Sequence, residues 1–234
     1  MSEADPAIGE RSAPPTLYRL GHGPDPWEWP DWVYAKPDNT FGNRWDDPEG
    51  VYRVLYACSQ RLGTFIETLA RFRPDAAIIA ALAEFEDDPE DDGPASLPPG
   101  HIPLSWLASR RLGEAVVEGS FGDAGHSATL AWLHATMADR LVHYGLKELD
   151  GSVIRLSAPR RLTQEISRRV FALTTGTSRR YGGIAYLSRL GDEFQNWAIF
   201  EPAALSRRIP QSISPEDEDL AVALERFGLT LVDD

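Results

Sequence analysis

Apolar positions recur along the chain with two periods, and the switches between them outline its elements. Residues 16–20 read as a short strand. Residues 51–57, rich in β-branched and aromatic side chains, read as a second strand. From Ser59, a candidate N-cap, Leu62, Ile66 and Leu69 fall on one face of a helix running to Arg71. Residues 113–121 predict a strand. Residues 127–144 predict a helix with Leu130, Leu133, Met137 and Leu141 on one face and Gly145 at its end. Residues 153–156 predict a strand, and 163–173 a helix with Ile166, Val170 and Leu173 inward. Strands at 184–187 and 197–200 would pair through a turn at Gly191-Asp192. Ser214-Pro215-Glu216-Asp217 combines a cap, a proline and first-turn acids, so it predicts a helix start. Gly228 would end that helix, with a last strand at 229–232.

Between these elements lie stretches without a period. Residues 1–15 read as a disordered tail. Residues 21–50, dense in Gly, Pro, Asp and Trp, read as mostly loop, with the Trp27–Trp32 cluster packed rather than free. Seven acids between 84 and 92, followed by Gly93-Pro94 and Pro98-Pro99-Gly100, predict a mobile solvated loop, dispensable for folding across 86–97. Strands and helices mix without strict alternation and no repeat is visible, so the class is α+β, a sheet with flanking helices. Residues 16–234 read as one domain with an insertion at about 73–112 and a helical extension from about 214.

Charge narrows the function classes. A net charge of −13 argues against direct nucleic-acid contact or an anionic membrane surface. A few arginines in a cleft still suffice for a dinucleotide, and Arg160, Arg161, Arg168, Arg169, Arg179 and Arg180 are close in sequence. The lone Cys58 allows no internal disulfide and no cysteine-rich zinc site. The first fifteen residues lack the apolar core of a signal peptide, and the longest apolar run, 76–83, is too short to span a bilayer. A cytoplasmic protein with no bound metal or resident cofactor is expected. There is no phosphate-binding GxxxxGK[ST] loop, GxGxxG turn, HExxH helix or GxSxG elbow, and the five histidines are scattered.

Four segments carry the candidate chemistry: Leu17-Tyr18-Arg19; Gly42-Asn43-Arg44-Trp45-Asp46-Asp47-Pro48; Val54-Leu55-Tyr56 leading to Glu67; and Tyr186-Leu187-Ser188-Arg189 followed by Asn196-Trp197. In order and context they resemble the RES family, named for an arginine, a glutamate and a serine, over roughly residues 16–72 and 113–202. The chain departs from compact members in its length and in Asn43-Arg44-Trp45, where Gly-Arg-Phe is more usual.

The resemblance implies an ADP-ribosyltransferase-like fold with a mixed or split sheet. It also implies degradation of NAD at the nicotinamide–ribose bond, with phosphate as a potential co-substrate, and a Xre-like helix-turn-helix antitoxin as partner of a toxin. Such cleavage builds positive charge at the anomeric carbon, and a carboxylate opposes it. Glu67, Arg19 and Ser188 are therefore the expected catalytic residues. Arg19, Arg44, Tyr56 and Ser188 are expected to hold the dinucleotide, the arginines by bidentate contact with its diphosphate. Nicotinamide leaves neutral, so no strong general acid is required. Transfer to a protein target, or a catalytically silent partner-binding module, are the alternatives, and a homo-oligomer stays open.

Overall fold

A computed structural model of the chain describes residues 8–74, 98–156 and 158–233. The elements that frame the first half are β1 (Glu10–Ser12), β2 (Leu17–His22), β3 (Val54–Cys58), α1 (Arg61–Leu69), β4 (His101–Pro103), α2 (Leu104–Ala108), β5 (Arg110–Val117) and β6 (Ser120–Asp123). There follow α3 (Ser127–Thr136), α4 (Ala138–His143), α5 (Gly151–Leu156), α6 (Arg160–Phe171), β7 (Thr174–Thr175) and β8 (Ser178–Arg179). The last are β9 (Gly183–Leu187), β10 (Gln195–Phe200), β11 (Leu205–Ser212), α7 (Glu218–Phe227) and β12 (Thr230–Val232).

Eight strands form one mixed sheet in the order β1-β6-β9-β10-β3-β2-β5-β11. Among the described strands of this sheet, only β6 and β9 run parallel. Period-two alternation puts Val54, Ile184, Tyr186, Ala198 and Phe200 on one face, against α3 to α6. Leu55, Ala57, Ala185, Trp197 and Ile199 face the other way, under Trp27. The 21–50 loop is thus anchored by a fully buried tryptophan. Gly113 permits this, because a Cβ there would lie 2.5 Å from Pro26 and from Trp27.

The sheet is nearly open between β2 and β3, which share a single residue pair, Tyr18 with Cys58. On its other side β2 pairs with β5 along its whole length. Helix α1 covers this region, and Gly63 lets it approach: a Cβ there would meet Cys58 Sγ at 2.4 Å.

Several expected elements differ. Residues 10–12, within the expected tail, form β1 and pair with β6. The single strand expected at 113–121 is two, β5 and β6, separated at Gly119 with φ of 112°. The helix expected at 127–144 breaks at Met137, which is outside helical geometry and fully buried. Residues 153–156 are helical, because the Asp150 carboxylate accepts from the Ser152 and Val153 amides and caps α5. Helix α6 starts at Arg160, three residues before the expected 163. Ser59 does not cap α1; its hydroxyl accepts from Trp197 Nε1, and Gln60 holds the cap position. Asp217 rather than Ser214 caps α7, accepting from the Leu220 amide. The acidic segment 84–92 and the span 86–97 lie outside the described residues.

The two regions read as additions meet each other. β4 and β12 pair in parallel. Leu220 and Ala223 of α7 share a core with Phe65, Ile66 and Leu69 of α1. Arg61 of α1 bridges Asp217 and Asp219 at the start of α7. No helix among the described residues is long and apolar enough to cross a membrane.

Candidate active site

A cavity of about 680 Å³ opens where β2 and β3 part, within the range of small-molecule sites. Among the described residues, six arginines line it, Arg19, Arg44, Arg71, Arg110, Arg160 and Arg189, together with His22 and one carboxylate, Glu67.

Arg19 stands in the gap of the sheet. Its Nε donates to the Pro26 carbonyl at 2.6 Å and its Nη1 to the Tyr56 carbonyl at 2.8 Å. The guanidinium thereby replaces ladder bonds that β3 does not make with β2. Burial, partly offset by Tyr56, lowers this group to about 10.

Arg44 enters from the 41–48 loop and is itself buried. Its Nη2 donates to the carbonyls of Ile154, at 2.6 Å, and Arg155, at the end of α5. The guanidinium carbon lies 5.1 Å from the Tyr186 ring centre. Burial lowers its affinity for the proton, with Tyr186 and Glu67 acting in the opposite direction. The loop is held by a residue the sequence did not single out for a role. Asp46 Oδ2 accepts from the Phe41 and Asn43 amides at 3.0 and 2.7 Å. Tyr56 OH donates to Asp46 Oδ1 at 3.0 Å and accepts from the Trp45 amide at 2.9 Å. Burial pushes the Asp46 carboxyl above its usual range in spite of these bonds. Tyr56 lines the cavity, but its hydroxyl is engaged in fixing the loop that delivers Arg44.

Glu67 projects from α1 into the cavity, exposed to it. Its Oε1 accepts from Asn196 Nδ2 of β10 at 2.5 Å. Asn196 is buried, so one carboxylate oxygen is fixed by the sheet.

Ser188 is not among the lining residues. It is buried, and its hydroxyl accepts from the Leu190 amide at 2.9 Å within the β9–β10 turn. That bond shapes the turn bearing Arg189, which does reach the cavity. Cys58 lines the cavity too, with burial pushing its thiol up to about 11, so it stays protonated at neutral pH.

Arg71, Arg110, Arg160 and Arg189 form no salt bridge among the described residues. Arg110 is held by the Trp106 carbonyl at 3.1 Å and lies 4.1 Å from the centre of its ring. Arg160 and Arg189 were named from sequence, in the basic cluster and in the Tyr186–Arg189 segment, but Arg71 and Arg110 were given no role. Isolated arginines in turns and at element ends carry no periodic signal, and only the fold converges them.

Residues 16–131 match the family model of the RES domain. The chain is a RES-domain protein. RES domains are associated with NAD-acting enzymes and with toxin–antitoxin pairs. Arg19, Arg44, Tyr56, Glu67, Arg71 and Arg110 lie inside the matched span; Arg160, Ser188, Arg189 and Asn196 follow it. Searches of curated proteins and of solved structures returned no match.

Proposed function

We propose that this RES-domain protein cleaves the bond between nicotinamide and ribose in NAD. The ADP-ribosyl group passes to phosphate or water. It would do so as the toxin of a pair whose partner is a Xre-like helix-turn-helix antitoxin. The observation that carries the reading is charge. In a chain of net charge −13, the described residues of one cavity include six arginines and a single carboxylate. Such a site suits a ligand with several phosphate charges and one centre of developing positive charge.

NAD supplies both. As the C1′–N bond breaks, its electron pair moves onto the ring nitrogen and nicotinamide leaves neutral. Positive charge develops at the anomeric carbon, where the Glu67 carboxylate, oriented by Asn196, opposes it. Arg19 and Arg44, each tied to backbone carbonyls, present their remaining N–H groups to the diphosphate with little entropy left to lose. A phosphate oxygen then bonds to the anomeric carbon, or a water does so and releases a proton. Guanidiniums in excess of a diphosphate's charge support phosphate as the acceptor. The sheet parted at the site supports an ADP-ribosyltransferase-like architecture.

Purified protein freed of any partner, incubated with NAD with and without phosphate, tests this. Nicotinamide release is expected in both, with ADP-ribose 1″-phosphate formed when phosphate is present. Undiminished NAD after hours with stoichiometric protein would contradict it.

A further inference from the structure

A second cavity, of about 540 Å³, adjoins the first. Arg189 lines both. Along one side, the chain that supplies Glu67, Thr68 and Arg71 to the first cavity runs on to supply Arg73 and Pro74 to the second. The opposite side is the C-terminal end of α7, contributing Arg226, Phe227 and Gly228. Leu190, next to Arg189, completes the lining.

The composition of the second cavity differs from that of the first. Among the described residues its lining has no carboxylate, and it mixes arginines with flat or apolar surface. The Arg73 guanidinium carbon sits 5.0 Å from the centre of the Phe227 ring. Guanidinium and aromatic faces of this kind are what nucleobases stack on. At Gly228, with φ of 61°, no atom of the described residues would lie within 4 Å of an added Cβ. Arg226 makes an exposed contact to Glu193 at 3.4 Å, and its guanidinium carbon lies 5.6 Å from the centre of the Phe194 ring.

We propose that this second cavity is the adenylate subsite of the same active centre. The inference rests on the NAD reading. A dinucleotide has a base at each end and a diphosphate between. The arrangement has the same order: Glu67 in one cavity, Arg189 at the junction, and a guanidinium–aromatic surface in the other. The diphosphate crosses at Arg189, its nicotinamide side reaching Arg19 and Arg44 and its adenylyl side reaching Arg226. The purine stacks on the surface that the Arg73–Phe227 pair presents. Arg226 and Phe227 belong to α7, beyond the span that matches the family model. The C-terminal helix would thus add binding surface to the RES domain.

Comparison of NAD with nicotinamide mononucleotide, which lacks the adenylate, tests this. Calorimetric affinities are measured for the parent, Arg226→Ala and Arg73→Ala. The parent should bind NAD at least about tenfold tighter than the mononucleotide. Each variant should lower that ratio by about tenfold or more, a loss expected when one charge-assisted contact is removed. Folding is controlled by thermal melting, and a general folding defect would weaken both ligands together. Equal affinity of the parent for the two ligands would overturn the subsite while leaving the NAD reading intact. So would variants with an unchanged ratio. A parent that binds neither ligand would overturn both.

Discussion

Asn196 donates to Glu67 across the junction of β10 and α1, with Nδ2 and Oε1 2.5 Å apart. A buried amide on the sheet thereby sets the direction of the carboxylate given the central task. Replacing Asn196 by Asp would put a second carboxylate against the first. Two such groups do not both ionise readily, so one is pushed to hold its proton at higher pH. In the Asp variant the acid limb of the single-turnover pH profile should move upward by about a unit or more. Asn196→Ala should slow turnover by roughly tenfold with NAD affinity nearly kept. A parental profile in the Asp variant would leave Asn196 with a packing role only.

Arg19 has two duties, and its replacement should show both. Arg19→Ala leaves the Pro26 and Tyr56 carbonyls without their donor. Each unpaired buried group costs about 1–3 kcal/mol, so melting should fall by several degrees. NAD affinity should also fall about ten- to a hundredfold. Lysine lacks the fork and should restore neither fully. A variant that loses affinity at unchanged melting temperature would show that the bridge across the parted sheet is not structural.

His22 lines the basic side of the cavity, where burial and then Arg110, Arg71 and Arg19 hold its pKa below the usual 6.5. In the free protein it is neutral at pH 7. A bound diphosphate brings negative charge that raises its proton affinity, so binding takes up a proton. NAD affinity should therefore rise as pH falls from 7 toward 5.5, and His22→Asn should flatten that slope. Calorimetry in two buffers of different ionisation enthalpy reads the proton directly. No proton uptake on binding would place His22 away from the phosphates.

Some of this was legible from sequence. Arg19, Arg44, Tyr56 and Glu67 sit in local motifs, and the fold brings all four to one cavity. Ser188 sat in an equally clear motif, yet its hydroxyl is turned to its own loop. Motif spacing does not report which way a turn residue faces. Asn196 stood in the fourth segment without an assigned role, because that role depends on the fold bringing Glu67 of α1 to β10. The strand expected at 153–156 failed on a short apolar run, whose period is ambiguous and which Asp150 decides in favour of helix. The break at Met137, a fully buried residue outside helical geometry, has no counterpart in the apolar periodicity of 127–144.

The C-terminal helix reads in sequence as an appendage but shares the core beneath α1. Leu220 is fully buried there. Leu220→Ala should cost about 2.7–5 kcal/mol in denaturant unfolding, as buried leucine truncations do. A loss under about 1 kcal/mol would show that α7 is only loosely attached.

Glu67 carries the central claim, and Glu67→Gln tests it most directly. Glutamine keeps the size of the side chain and an oxygen for Asn196, but removes the charge. An interaction made mainly in the transition state slows the reaction when lost, with little effect on ground-state binding. Measured on one preparation by calorimetry and single turnover, the Gln variant should melt like the parent and bind NAD within a fewfold. It should release nicotinamide slower by roughly two to three powers of ten, the usual loss for a preorganised electrostatic group. A Gln variant with parental turnover would contradict the account.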